Sequence, residues 1–324
     1  MNLGTKIKEL MDLAGYTGEV IFKPLLGGKN NQAFQVQADG KIFFLKHYFF
    51  HPADRRERLK TEFGFSTFLW ERGIRNIPRP VAKDFENRLG LYSFMEGSRV
   101  AQTDVTAPRV REALEFLLAV NRHRGEDEAR ALAPASEACF SLDEHIRQID
   151  RRLDRLQKIE ESEAKAFVLT RLRPAWREIR KNILRVDKTE WNSPVRVLSP
   201  SDFGFHNALL TPRGKIVFHD FEYAGWDDPA KTVCEFFSQP EVSVPIGFLE
   251  DFANEVFVLL KDPAGLERVH LLLPVYRIKW CSTLLNEFLP EGAGRRQFAE
   301  GKGTLRVKRQ KQLAKAVNYL DRHA

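Results

Sequence analysis

Over the first hundred positions apolar and polar residues tend to alternate; from Ala107 onward apolar residues recur every three to four. Alternation places successive side chains on opposite faces of a strand, whereas three-to-four spacing gathers them on one face of a helix. Glu19–Leu25 and Ala33–Gln37 are short alternating runs, and Lys41–Phe49 has the aromatic content that strands favour. Turns are expected at Gly27-Gly28-Lys29-Asn30-Asn31 and at Ala38-Asp39-Gly40. These hundred residues read as strands with one helix between them. That helix is predicted over Asp54–Glu71, with Leu59, Phe63, Phe65, Phe68 and Leu69 as its apolar positions and Gly73 as its stop. Ile77-Pro78-Arg79-Pro80 breaks the chain, Arg88–Phe94 predicts another strand, and Glu96-Gly97-Ser98 reads as a hinge. Pro108–Arg124, Leu142–Ile159 and Lys165–Arg185 predict helices, Val195–Phe221 predicts strand–loop–strand, and helices resume to the end. The expectation is an α+β chain with a β-rich lobe at 1–96 and a mostly helical lobe at 97–324.

Composition narrows the class. At 324 residues the chain exceeds one ordinary core, which agrees with two lobes. Its three cysteines, Cys139, Cys234 and Cys281, are far apart and without a CxxC spacing. That argues against a disulfide framework or zinc site and for a reducing compartment. The N-terminus lacks the apolar core of a signal peptide, and no run of about 18 apolar residues exists to span a bilayer. A cytoplasmic location without a membrane span is therefore expected. The net charge is +7, and nine Lys/Arg fall between Arg295 and Ala324 against Glu300 and Asp321. Such an end attracts nucleic acid or anionic lipid. It lacks the interleaved aromatics of a nucleic-acid platform, so a solvated helix face is the better reading.

The chemistry concentrates between Leu198 and Pro229, LSPSDFGFHNALLTPRGKIVFHDFEYAGWDDP. Asp202 and Asn207 stand five apart in a loop, and a strand, a turn at Pro212-Arg213-Gly214 and a second strand lead to Asp220. A hairpin of that length returns Asp220 to the first loop, so the three groups converge. Phosphoryl transfer from a nucleotide needs such a set: one carboxylate to orient or deprotonate a hydroxyl, and an amide oxygen with a second carboxylate to hold magnesium.

With the Asp220-Phe221-Glu222 triplet, this segment resembles the aminoglycoside phosphotransferase and choline kinase superfamily, whose pattern is H-G-D-x-x-x-x-N, a strand pair, then I-D-[FW]-[ED]. By that resemblance Asp202 matches the catalytic Asp, and Asn207 and Asp220 match the metal-binding pair. LLGGKNNQAFQV resembles the family's nucleotide loop, with Gly27, Gly28 and Asn31 at the matching places. Lys46 resembles the lysine that contacts the phosphates, Glu62 its ion-pair partner, and Tyr92–Glu96, including Phe94, the hinge that binds adenine. The resemblance spans roughly residues 20–235. It implies the two-lobed protein-kinase-like fold with a five-stranded small lobe, ATP and Mg²⁺ as cofactors, and a small-molecule hydroxyl acceptor as partner. Pro200-Ser201 replace the family's His-Gly, and Thr232 or Glu235 stands where another Asp is usual.

For the acceptor, Arg147, Arg151, Arg152, Arg155, Arg171, Arg173, Arg177 and Arg180 crowd the helices of the large lobe. If they face the cleft, a neutral or anionic acceptor, a sugar or related metabolite, is expected over a polycation. Choline, ethanolamine or an aminoglycoside is the alternative, and Trp226, Tyr276, Trp280 and Phe288 are candidates for an aromatic cage around a cation. His206, inside the loop, is a candidate phosphate contact. An inactive nucleotide-binding regulator and a basic surface-binding protein are the competing classes.

Overall fold

The computed structural model describes residues 2–25, 31–52, 54, 56–186, 195–289 and 305–323. A five-stranded antiparallel sheet is built from β1 (Ile21–Leu25), β2 (Gln32–Ala38), β3 (Lys41–His47), β4 (Pro80–Asp84) and β5 (Leu89–Ser93) in the order β1-β2-β3-β5-β4. The β2–β3 hairpin turns at Asp39 (φ 49°) and Gly40 (φ 71°), the pair of left-handed residues that a tight hairpin demands. Glycine-loop residues 26–30, including Gly27 and Gly28, lie outside the described residues.

Two features of the first hundred residues depart from the sequence expectation. An unpredicted helix, α1 (Leu3–Leu13), is capped by Asn2 Oδ1, which accepts from Thr5 N–H at 2.9 Å. It buries Ile7, Leu10 and Met11 against Phe34, Val36, Phe43, Leu45, Leu89 and Leu91 of the sheet. Its i, i+3, i+4 apolar spacing was present in the sequence but short. The helix expected from Asp54 is α2, Arg58–Glu71, and starts later. Asp54 is instead taken up by side-chain pairing, accepting from Arg56 Nε at 2.7 Å and Arg58 at 2.6 Å.

The second core belongs to the helical part. It gathers α3 (Ala107–Arg122), α5 (Leu142–Leu156), α6 (Ser162–Phe167), α7 (Arg173–Ile183), α8 (Pro229–Ser238), α9 (Leu249–Leu260), α10 (Gly265–Leu284) and α11 (Leu305–His323), with a short α4 (Asp127–Arg130) between α3 and α5. The expected helix at 165–185 is α6 and α7 joined through a π turn at 168–172. The inner face of α2 also enters this core through Phe65, Phe68 and Leu69, so α2 serves both parts. The basic C-terminal helix α11 buries only Ala316, Tyr319 and Leu320 beyond residue 305 and leaves its charged face outward.

The link at residues 94–97 carries no ladder, and β6 (Ser98–Arg99) then pairs with β8 (Ala208–Leu210), which pairs with β9 (Ile216–Phe218). A Cβ at Gly97 would lie 2.8 Å from the Leu210 carbonyl oxygen, so only glycine lets the link pass this close to β8. β7 (Val197–Ser199) pairs with an unpredicted β10 (Gly225–Asp227). These short strands carry the chemistry-bearing loop between the two cores.

Candidate active site

Residues 200–207 leave β7, turn through a one-turn helix and enter β8. Phe203, 3% exposed, anchors this loop among Phe116, Phe218 and Phe236, with ring centroids 5.9, 5.1 and 4.9 Å away. Asn121 of α3 clamps β7 below it, donating to the Leu198 carbonyl at 3.0 Å and accepting its N–H at 2.8 Å. The anchored loop holds Ser201 at φ 52° and Asp202 at φ 22°, left-handed geometry that costs L-residues roughly 1–3 kcal/mol each. Ser201 thus occupies the left-handed position where the resembling family has glycine. Its N–H is met by Ser199 Oγ at 3.0 Å.

Asp202 is braced from its own loop. His206 Nε2 lies 3.2 Å from its Oδ1, and Asn207 Nδ2 donates to its Oδ2 (3.2 Å) and backbone carbonyl (3.0 Å). Burial pushes the Asp202 carboxyl up, but His206, Lys279 and Asn207 outweigh it and hold the group well below the usual carboxylate range. It is ionised at neutral pH. His206, a candidate phosphate contact for which a local hydrogen bond is the more ordinary reading, bonds Asp202 here.

The hairpin β8–β9 returns Asp220 as the sequence spacing predicted, and Asp220 too is left-handed, at φ 70°. Lys46 Nζ donates to Asp220 Oδ1 and to Glu62 Oε2, both at 2.6 Å. Tyr48 OH adds a bond to the same Glu62 oxygen at 2.7 Å and meets Tyr92 OH at 2.8 Å. Burial drives Glu62 above the usual carboxylate range, since one ammonium serves two acids; Lys46 in turn is held well above its ordinary value by Asp220 and Glu62 against the pull of burial. Sequence reasoning found Lys46, Glu62 and Asp220 but passed over Tyr48; it gave Tyr92 to the adenine hinge and read Glu222 only as part of the Asp-Phe-Glu triplet.

Glu222, 2% exposed, accepts from Asn31 Nδ2 at 2.5 Å and lies 3.8 Å from Arg58 Nε. Asn31 Oδ1 accepts the Phe49 N–H at 3.0 Å. Asn31, expected to serve the nucleotide, thus ties the end of the glycine loop to the Asp-Phe-Glu segment. Carboxylate oxygens of Glu62, Asp220 and Glu222 lie within 4.8 Å of one another. The oxygen donors here suit a hard cation such as Mg²⁺: Asp220, and Asn207, whose amide nitrogen is engaged and whose Oδ1 is left over.

A cleft of about 660 Å³ runs past these groups. One end is bordered by Leu25, Ala33, Phe44, Pro78, Phe94 and Met95 over Lys46. Glu96 is exposed and not part of the wall. The other end, beyond Asp202, Asn207 and His206, is lined by Glu137, Arg152, Glu235, Glu241, Lys279, Trp280, Glu287 and Gln312 among others. Of the eight arginines expected to bias the acceptor site, Arg152 alone belongs to this wall. Arg147, Arg151, Arg171, Arg177 and Arg180 are exposed. Arg173, Arg180 and Arg171 pair with Asp154, Asp150 and Asp321, because α5 and α7 turn their apolar faces inward and their arginines out. The aromatic cage also fails to assemble. Trp280 lines the cleft, whereas Tyr276 is buried on His145, Trp226 donates to the Ala129 carbonyl, and Phe288 is outside the wall.

A small sheet over a helical base, with an Asp-loop, a Lys–Glu pair and a returning Asp at one cleft, defines a kinase-like phosphotransferase. The chain belongs to the phosphotransferase enzyme family, whose model matches residues 21–231, and it is a small-molecule kinase of that family. No curated protein matches its sequence. Among solved structures it is similar to the choline kinase LicA from Streptococcus pneumoniae, at 16% identity over 99% of both chains with a TM-score of 0.60. Spectinomycin phosphotransferase APH(9)-Ia, in complex with ADP and spectinomycin, gives 13% identity over 98% of this chain and 97% of that one, TM-score 0.61. A Plasmodium vivax ethanolamine kinase gives 18% identity over 99% of this chain and 88% of that one, TM-score 0.57. At such identities the likeness is one of fold, the two-lobed fold of these kinases. Among the described residues no helix is long and apolar enough to cross a membrane.

Proposed function

We propose that this enzyme transfers the γ-phosphate of ATP to a hydroxyl of a small polar molecule, a sugar or related metabolite, in the cleft between residues 1–96 and 97–324. The observation that carries the reading is the pairing, in one cleft, of an ionised Asp202 with a Lys46 bonded to Glu62 and Asp220. Asp202 orients the acceptor hydroxyl and takes its proton as the new O–P bond forms and the bond to the departing ADP oxygen breaks. Lys46 holds phosphate oxygens, and Glu62 with Tyr48 keeps its ammonium in place. Asp220 and the Asn207 amide oxygen would hold a magnesium ion, which supplies charge neutralisation to the phosphates. Leu25, Ala33, Phe44 and Met95 form the apolar slot for the adenine beside the backbone of residues 94–97. The ADP held by the spectinomycin phosphotransferase supports ATP as donor.

A second reading, a choline, ethanolamine or aminoglycoside acceptor, is favoured by the four glutamates and Trp280 at the far end of the cleft and by what the similar structures act on. The test is ATP consumption by the full chain across a metabolite panel, with the phosphorylated product read by mass spectrometry. Product with a sugar or related metabolite supports the first reading, and product with choline, ethanolamine or an aminoglycoside the second. ADP release without phosphorylated product refutes both.

A further inference from the structure

The far end of the cleft offers carboxylates and an aromatic ring, the groups that recognise a cation, yet the chain fills the ring and two of the four carboxylates, Glu137 and Glu235, itself. Arg152 donates to Glu137, and Lys279 Nζ donates to Glu235 Oε1 at 2.7 Å. Glu235 and Lys279 are 3% and 8% exposed, so this is a built pair in the wall of the cleft and not a surface contact. The same Lys279 ammonium lies over the Trp280 ring, 4.5 Å from its centroid. An aromatic face attracts one cation; a second brought beside it meets like charge in a poorly screened setting. Trp280 is therefore a cation platform occupied from within.

What the wall leaves open is hydrogen bonding. Trp280 Nε1–H and Gln312 Oε1 are buried atoms without a hydrogen-bond partner, and both residues line the cleft. The first only donates and the second only accepts, and the hydroxyls of a polyol supply both complements. Trp280 itself is 7% exposed, so its indole N–H has little recourse to solvent.

We infer that Lys279 is a specificity-determining residue: seated on Trp280 and held by Glu235, it excludes cationic acceptors and commits the site to a neutral polyhydroxyl compound of the sugar class. The inference rests on the phosphotransferase reading above and names the acceptor class for its site. The chemistry is unchanged: a sugar hydroxyl oxygen bonds to the γ-phosphorus, its proton passes to Asp202, and ADP leaves.

The test compares kcat/KM for a panel of neutral hexoses and pentoses with that for choline and ethanolamine, in the wild type, Lys279→Met and the Lys279→Met/Glu235→Gln double variant. The double variant removes both partners, so no uncompensated buried carboxylate is left to unfold the chain. The wild type should favour the best sugar over choline by about 100-fold, given the cost of opposing like charges in a closed site. Either variant should shift that ratio toward choline at least about tenfold, mainly through KM. A purely structural role for Lys279 would lower both activities together and leave the ratio unchanged, which would overturn the inference. So would a wild type that turns over choline better than every sugar, although the kinase reading would stand. A panel in which no compound exceeds the Asp202→Asn background would overturn the transferase reading and the inference with it.

Discussion

Two of the buried charge networks among the described residues differ in that one borders the cleft and the other does not. Around Lys46 a single ammonium answers Glu62 and Asp220, with Glu222 close by, and the group borders the cleft. In the other, the floor network, Asp228 caps α8 by accepting from Ala230 N–H at 2.6 Å, and it also pairs with Arg268. Arg268 meets Asp262 at 3.0 Å, His145 Nε2 stands 3.6 Å from Asp228, and Lys231 joins Asp227 at 2.7 Å. None of these last residues lines the cleft. Both mix carboxylates with buried cations. The cleft network carries an excess of negative charge and backbone strain at Asp202 and Asp220, whereas the floor network neutralises its anions with cations and a helix end. Buried charge alone marks neither function nor its absence; an uncompensated set beside a cavity does.

Mutations sharpen that contrast. Asp202→Asn, by removing the proton acceptor at nearly constant volume, should lower kcat by roughly 10³- to 10⁴-fold with nucleotide affinity retained. Single-turnover kinetics and calorimetry with ATP check both halves. Near-normal turnover would place the reacting centre elsewhere.

On the floor network the expectation reverses. Asp228→Ala strands Arg268 and uncaps α8, so urea unfolding should show a loss of about 3–5 kcal/mol. The folded fraction should keep its kcat. A catalytic defect exceeding the loss of folded protein would erase the distinction drawn between the networks.

The floor also sets a pH dependence. Burial pulls His145 down, but the Asp228 carboxylate outweighs it and the imidazole rises to about 9. A histidine raised above its unfolded value near 6.5 contributes stability fully below that value and loses it as pH climbs through about 9. The contribution is up to about 3 kcal/mol. The denaturation midpoint should fall between pH 7 and 9 in the wild type, and His145→Gln should flatten that fall. An equal slope in the variant would assign the effect to another group.

The smallest effect is expected at the nucleotide end. Lys46→Met should weaken ATP about tenfold while the acceptor KM holds, since Lys46 bonds Glu62 and Asp220 and not the Glu235–Lys279 pair. Equal losses for both ligands, measured by calorimetry and steady-state kinetics, would argue for a general collapse of the Lys46 cluster.

Part of this was legible in the chain. Asp202, Asn207 and Asp220 are joined by a loop and one hairpin, and so short a connection fixes their convergence. The strand around Lys46 and the helix bearing Glu62 were readable by period, although the start of α2 was displaced by the Asp54–Arg58 pair. The short α1 escaped notice because its few apolar positions gain meaning only against the sheet.

By itself the sequence determined most of the order of strands and helices, α1 and β10 apart, and singled out Asp202, Asn207 and Asp220 as candidates, because both depend on local spacing and residue chemistry. The tertiary structure alone decided which charges meet. Asn31 joins Glu222 across 191 positions, and Lys279 reaches Glu235 across 44. It also turned all but one of eight arginines away from the cleft and seated a lysine on Trp280, which lines it. Periodicity tells which face of a helix is apolar, but the polar residues near its edges are assigned to cleft or solvent only when helices pack against one another.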